Sequence, residues 1–191
     1  MKIAFLGTGL MGGPMAKNLA VSGFHISAWN RTPSKAAFLK EFEVDIKISA
    51  AEAVKNADVI ISMLSDGDAS HEMQNDEKIR GNLSPNCTWI EMGSIKPDEA
   101  RAHSVNLNDL NVNYLDAPVS GGTKGAENGS LAIMVGGDST VFAKVEEAFK
   151  PLGRAVFVGP TGSGQLAKLA NQAIVAITIG AVAEATLLLE E

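Results

Sequence analysis

Six residues near the beginning of the chain, Gly7-Thr8-Gly9-Leu10-Met11-Gly12, limit what it can fold into more than any other stretch. An apolar run, Ile3-Ala4-Phe5-Leu6, leads straight into them, and Met15-Ala16-Lys17-Asn18-Leu19 continues after them as a helical pattern. Between a strand and a helix, the spacing G-x-G-x-x-G gives each glycine a task. The first permits a tight turn, the second lets the backbone come close to a pyrophosphate, and the third brings helix against strand. The helix that follows presents free N–H groups and partial positive charge to the same phosphates. Gly7, Gly9, Leu10, Met11 and Gly12 are therefore expected to form a dinucleotide-binding turn, the alternative being a glycine turn with a purely structural role.

Up to about residue 160 the chain continues in the same style. Strand-like apolar runs at residues 3–6, 25–29, 59–64, 88–92, 114–117, 131–135 and 155–158 alternate with helical patterns at 11–21, 33–42, 50–55, 97–107 and 140–149. This alternation predicts an α/β chain, a Rossmann-type doubly wound, mainly parallel sheet with helices on both faces. After Gly164 the character changes. Proline disappears, Gly180 is the only glycine, and Leu166, Leu169, Ala173, Ile177, Ala181 and Leu188 recur at three-, four- and seven-residue spacing, so one long helix is predicted to run to the end. Residues 1–162 are read as a dinucleotide-binding domain and 163–191 as the first long helix of an all-α domain, the remainder of which this chain does not contain. The apolar stretch 173–189 is interrupted by Glu184, lacks basic anchors and falls short of the roughly 20 residues of a membrane span, so no membrane is expected. A helix apolar on most sides calls for cover from a further domain or a second copy, which predicts a homo-oligomer through this helix.

Composition narrows the function classes. Sixteen basic against 22 acidic side chains leave a net charge of −6, the wrong sign for tracking a phosphodiester backbone, so nucleic acid is not expected as a partner. The single cysteine, Cys87, cannot form an internal disulfide, and no leader is visible before the first strand, which together predict a cytoplasmic protein. His25, His71 and His103 are read as surface or strand-end residues and Cys87 as a buried small hydrophobe; none is spaced for metal ligation, so no metal is expected.

The end of the second strand bears on the choice of dinucleotide. A carboxylate there suits the ribose 2′-hydroxyl of NAD, whereas a 2′-phosphate attracts arginine. Here the strand ends Trp29-Asn30-Arg31-Thr32, no acidic residue occurs from Gly23 to Lys40, and Lys35 adds a second positive charge. NADP(H) is therefore the expected cofactor. Two further clusters stand out. Asp116-Ala117-Pro118-Val119-Ser120-Gly121-Gly122 ends a strand with a hydroxyl and two glycines, a loop suited to a substrate carboxylate or simply a tight turn. Gly159-Pro160-Thr161-Gly162-Ser163-Gly164 opens the long helix, on which Gln165, Lys168, Asn171 and Gln172 share one face. A lysine on an otherwise apolar helix either reaches solvent or does chemistry.

The turn at Gly7 to Gly12, the Asp116 to Gly122 segment continued by Gly125-Ala126, Gly129 and Leu131 to Gly137, and Gly162-x-Gly164-x3-Lys168-x2-Asn171 together resemble the β-hydroxyacid dehydrogenase family, over essentially the whole chain. This family includes 3-hydroxyisobutyrate dehydrogenases, tartronate semialdehyde reductases and succinic semialdehyde/glyoxylate reductases. The resemblance implies a Rossmann domain, a long helix entering an all-helical domain, and reversible hydride transfer between a nicotinamide and a small hydroxy acid or aldehyde acid. By position, Lys168 matches the catalytic lysine and Asn171 the asparagine that holds it. Ser120, Gly121 and Gly122 match the loop for the substrate carboxylate, and Leu64, Ser65 and Ser94 match cofactor contacts. The Asn30-Arg31-Thr32 ending is similar to that of the NADPH-using succinic semialdehyde/glyoxylate reductases. The family pattern continues for roughly 100 further residues, about one more domain, which supply a second active-site lysine and much of the subunit interface.

In the reducing direction, an ammonium at Lys168 is suited to steady the charge that builds on a carbonyl oxygen and to deliver its proton. Burial is expected to lower its pKa, and Asn171, one turn on, to accept a hydrogen bond from it. An NADPH-dependent imine reductase is the neighbouring alternative, since it shares the glycine turn. A non-catalytic NADP-binding module is the alternative of another class.

Overall fold

The computed structural model describes residues 1–190, and within them the apolar runs assemble into one nine-stranded sheet. In chain order the elements are β1 (Lys2–Leu6), α1 (Gly12–Val21), β2 (His25–Trp29), β3 (Asp45–Ile46), α2 (Ala50–Val54), β4 (Val59–Ser62), α3 (Gly67–Asn75), α4 (Glu77–Arg80) and β5 (Thr88–Glu91). They continue as α5 (Pro97–Asn108), β6 (Asn113–Asp116), β7 (Val119–Ser120), α6 (Gly122–Asn128), β8 (Leu131–Gly137), α7 (Ser139–Phe149), β9 (Gly153–Gly159) and α8 (Ser163–Glu190). The strand order is β3-β2-β1-β4-β5-β6-β8-β7, with β9 on the other side of β8. All pairs from β3 to β6 are parallel, β8 runs antiparallel to β6 and β7, and β9 runs parallel to β8. This is a Rossmann-type, mainly parallel α/β sheet followed by a long helix. Because the order reverses direction at β1, the carboxyl ends of β1 and β4 form a crevice, the place where such sheets bind ligands.

Side-chain alternation divides the core. Ile3 and Phe5 point to one face, with Met15, Leu19, Val141 and Phe149, while Ala4 and Leu6 point to the other, with Ile60, Trp89, Ala100 and Leu107. Both faces are covered, so β4 is buried along its whole length. At the start of α1, a Cβ on Gly12 would overlap the Gly7 carbonyl and come within 2.9 Å of Phe5 Cε1, so only glycine lets α1 sit this close to β1.

Several elements differ from the sequence reading. The helix expected at 33–42 is two 3₁₀ turns, Pro33–Lys35 and Ala37–Phe42. Its buried residues, Ala36 and Leu39, are three apart, the repeat of a 3₁₀ face, and Leu39 N–H donates to Ala36 O at 3.0 Å. Three helices, α3, α4 and α6, and the two-residue strands β3 and β7 were not expected. Of α3 only Ser70 and Gln74 are buried, both polar, so no apolar period announces the helix. His103 is also not a surface residue: it is buried on α5, stacked on His71 and edge-on to Tyr114.

The helix α8 is longer than its apolar stretch, and Ser163–Leu189 is long and apolar enough to cross a membrane by length and composition. Its first turns, however, pack on β6, β8 and β9 and bury Gln165 and Lys168. The part beyond, residues 173–189, measures roughly 25 Å at 1.5 Å per residue, less than the roughly 30 Å of a hydrocarbon core. Glu191 lies outside the described residues.

Between the sheet and α3 runs a buried polar seam. The Glu91 carboxylate accepts hydrogen bonds from Ser62 Oγ at 3.0 Å, from Gly93 N–H at 2.9 Å and from Ser70 Oγ, and Ser62 Oγ in turn accepts from Trp89 Nε1 at 2.8 Å. Burial outweighs these bonds and pushes the Glu91 carboxyl up to about 7.

Two outcomes follow from these contacts. Gly12→Ala should lower the free energy of unfolding by about 1–3 kcal/mol, whereas Gly9→Ala, at a site with nothing within 4 Å, should leave it within about 0.5 kcal/mol; denaturant titration compares them. Glu91 ionises in the unfolded chain near 4.5 but stays protonated in the fold to about 7. Its contribution is thus complete below pH 4.5 and declines as pH rises to 7, by roughly 3 kcal/mol in all. Unfolding curves across this range should flatten in Glu91→Gln, and an unchanged slope would assign the proton to another group.

Candidate active site

At the switch point lies a cleft of about 350 Å³. Its floor is the glycine turn, with Gly7, Gly9, Leu10, Met11 and Gly12; one wall is the end of β2, with Asn30, Arg31, Thr32 and Lys35; the other is the segment after β4, with Met63, Leu64 and Ser65, and α3, with Ala69, Glu72 and Met73. Every residue singled out in the sequence for the cofactor lines this cleft except Ser94. Glu72 and Met73 were missed because α3 was missed, although Asp66 carried a signal: its carboxylate caps α3 by accepting from Ala69 N–H at 2.8 Å.

The cleft has the features a dinucleotide needs. No side chain caps α1 and no acidic residue lies in its first turn, so its positive end faces the cleft, although Gly13 N–H donates to Gly9 O at 2.9 Å and Pro14 has no N–H. A Cβ on Gly9 would meet nothing within 4 Å, and the Thr8 hydroxyl is buried without a partner. The turn is held by its neighbour strand: Gly7 N–H donates to Trp29 O at 2.9 Å, and Thr8 N–H donates to Asn30 Oδ1 at 2.9 Å. Asn30 Nδ2 donates to Thr32 O at 2.9 Å, so both ends of the Asn30 amide serve the protein itself and leave Arg31 and Lys35 exposed beside them. The Asp66 carboxyl is held below its ordinary value chiefly by the Ala69 N–H, then by the Ser65 hydroxyl, with Arg31 adding to the effect.

The second group of candidates gathers where α8 meets the sheet. Lys168 is only 9% exposed, and burial lowers its pKa. One turn on, Asn171 Nδ2 donates to Ser120 Oγ at 3.2 Å, tying α8 to the loop of Ser120, Gly121 and Gly122. No hydrogen bond joins Asn171 to Lys168 among the described residues. The amide turns its N–H₂ to the Ser120 hydroxyl, and its Oδ1 is the end able to accept from an ammonium. Gly121 and Gly122 hold φ of +136° and +62°, a pair of positive angles that exposes the N-terminus of α6 without a side-chain cap. Ser94 sits outside this cleft, on an exposed loop between buried Gly93 and Ile95, and a Cβ on Gly93 would lie 3.3 Å from Leu64 O. The loop therefore joins the wall of the cleft to the foot of α8. Among the described residues no cluster of His, Cys, Asp or Glu is placed to hold a metal ion.

Comparison with known proteins agrees with this architecture. Residues 2–159 match the NAD binding domain of 6-phosphogluconate dehydrogenase. The chain is 40% identical over 190 residues to a 2-hydroxy-3-oxopropionate reductase of Escherichia coli, and 37% identical over 189 residues to an NAD-dependent L-serine dehydrogenase of Pseudomonas aeruginosa. These alignments take in 98% and 96% of this chain but 64% and 62% of the relatives. In structure it is similar to a Mycobacterium tuberculosis 3-hydroxyisobutyrate dehydrogenase studied with L-serine, at a TM-score of 0.94 and 35% identity, covering 99% of this chain and 65% of that one. With a family model matching residues 2–159, relatives at up to 40% identity and a structural match at a TM-score of 0.94, the chain belongs to the 3-hydroxyisobutyrate dehydrogenase/β-hydroxyacid dehydrogenase family, as its NAD-binding domain and the helix that follows.

Proposed function

We propose that this chain is the cofactor-binding part of an NADP(H)-dependent oxidoreductase that interconverts a small, carboxylate-bearing hydroxy acid and its aldehyde acid, of the semialdehyde or glyoxylate reductase type, in the cytoplasm. The observation that carries the reading is the buried Lys168, one helical turn from an asparagine bonded to the Ser120 loop. In this reading residues 1–162 hold the dinucleotide and 163–191 begin the helical domain. Gly7 to Gly12 take the pyrophosphate, with Leu64, Ser65 and Ser94 along its path, and Arg31, Thr32 and Lys35 take the 2′-phosphate. The uncovered apolar length of α8 is the contact to a further domain or a second copy. The relatives include an enzyme named as NAD-dependent, so the preference for NADP(H) rests on Arg31 and on the absence of a carboxylate at the end of β2.

The nicotinamide, when bound, supplies or takes the hydride. Ser120, Gly121 and Gly122 hold the substrate carboxylate by hydroxyl and N–H groups, which fixes the carbonyl relative to α8. As the carbonyl carbon is reduced, charge builds on its oxygen, and the Lys168 ammonium stabilises that charge and gives it a proton. Desolvation lowers the cost of giving up that proton, so one residue serves as acid in reduction and as base in oxidation.

NADPH should bind at least tenfold more tightly than NADH, about 1.4 kcal/mol, and Arg31→Asp should erase or reverse the preference; equal affinities in the unmodified chain, by fluorescence titration, would refute it. Lys168→Ala in the full-length protein should lose at least about 100-fold in turnover of short aldehyde acids while NADPH affinity is kept. Retention of more than a tenth of the rate would move proton transfer to another group.

A further inference from the structure

Gln165 shares the face of α8 that carries Lys168, one turn nearer the sheet, and its side chain is 1% exposed. Its amide is used at both ends. Oε1 accepts from Ile95 N–H at 3.1 Å, and Nε2 donates to Gly93 O at 2.8 Å. The two contacts bracket Ser94, which stays exposed between its buried neighbours. A side chain with one donor and one acceptor at its tip is required for this, because one loop end offers a carbonyl and the other an N–H.

The backbone of the same residue is held as firmly. Asp116, fully buried at the end of β6, accepts from Gly162 N–H at 2.7 Å on one oxygen and from Gln165 N–H at 2.8 Å on the other. A Cβ on Gly164 would overlap the Met134 carbonyl, so the first turn of α8 lies directly on the sheet. Gln165 is thus fixed through its main chain to β6 and through its side chain to the loop after β5. The far side of that loop is fixed as well, by Gly93 N–H on the Glu91 carboxylate.

We propose that Gln165 is a positioning residue: anchored by Asp116, its amide sets the distance between Lys168 and the Gly93–Ile95 loop, and so the place of the ammonium relative to whatever that loop contacts. The consequence for catalysis rests on the reading of Lys168 given above. A rigid helix transmits the constraint, since residues 165 and 168 are neighbours on one face, three positions apart.

Two variants test the assignment in the full-length protein. Gln165→Met keeps the length and removes both bonds; Gln165→Glu keeps the acceptor for Ile95 N–H and sets a carboxylate oxygen against Gly93 O. Labelling of Lys168 by an amine reagent, quantified by peptide mass spectrometry, should accelerate at least threefold in both, while a distant exposed lysine such as Lys55 keeps its rate. kcat, counted per folded site by NADPH titration so that a loss of folded protein does not enter, should fall at least tenfold with KM for NADPH within about threefold. Unchanged labelling of Lys168 in either folded variant would overturn the clamp, and the Glu variant decides if the Met variant does not fold. Faster labelling with kcat intact would uphold the clamp and remove Lys168 from the chemistry, so the two readings fail separately.

Discussion

The contact between Gly12 and the Gly7 carbonyl governs how the rest of the molecule is used, since it lets α1 start at the edge of the sheet with no side chain between them. The start of α1 is consequently open. Elsewhere helix starts are closed by the chain itself: Ser49 caps α2, Asp66 α3, Asp76 α4 and Asp138 α7, Glu99 reaches back to the N–H of Lys96 just before α5, and Asp116 takes the N–H groups of Gly162 and Gln165 at the start of α8. Among the described residues only α1 and α6 have neither a side-chain cap nor an acidic residue in the first turn. These are the two helix starts at which the proposed function puts the pyrophosphate and the substrate carboxylate. Unsatisfied N–H groups at a helix start are an anion site when nothing internal occupies them.

Charge is distributed to the same end. A chain of net charge −6 places Arg31 and Lys35 on one wall of the cleft and the acidic Asp66 and Glu72 on or beside the other. The cleft is therefore positive on the β2 side only. The opposite wall presents acceptors, an asymmetry suited to a ligand carrying both an anionic and a hydrogen-bond-donating end, and it is this that the proposed 2′-phosphate would use.

Much of this was legible because the features are local. The glycine turn, the Arg31 ending and the central parallel strands each declare themselves within a few neighbouring residues. What was not legible depends on contacts across long sequence separations or on burial of polar groups. Asp116 was visible as part of a motif, yet its partners Gly162 and Gln165 lie 46 and 49 positions away. The helix α3 was invisible to hydrophobic periodicity because its buried side chains, Ser70 and Gln74, are polar and face Glu91. The bond from Asn171 to Ser120 was not foreseen, since spacing along a helix says nothing of the Ser120 loop opposite. A raised Glu91 and a buried His103 likewise follow from packing that no pattern of residue types encodes.

The long helix joins two environments in one rigid body. Its first turns are locked by Asp116, Gln165 and Asn171 and hold Lys168 in a nearly dry position, whereas beyond Gln172 the apolar side chains are uncovered, with Leu188 74% exposed and Ile177 73%. Each buried leucine or isoleucine is worth about 1.5–3 kcal/mol, so covering several of them provides far more free energy than any single hydrogen bond at the foot of the helix. Whatever covers that length sets the tilt of the whole helix, and the foot must accept the tilt or resist it. Three anchors on different strands and loops resist it. The position of Lys168 is thereby made to depend on the sheet rather than on the distant apolar contact, which is what the acid–base role proposed for it would require.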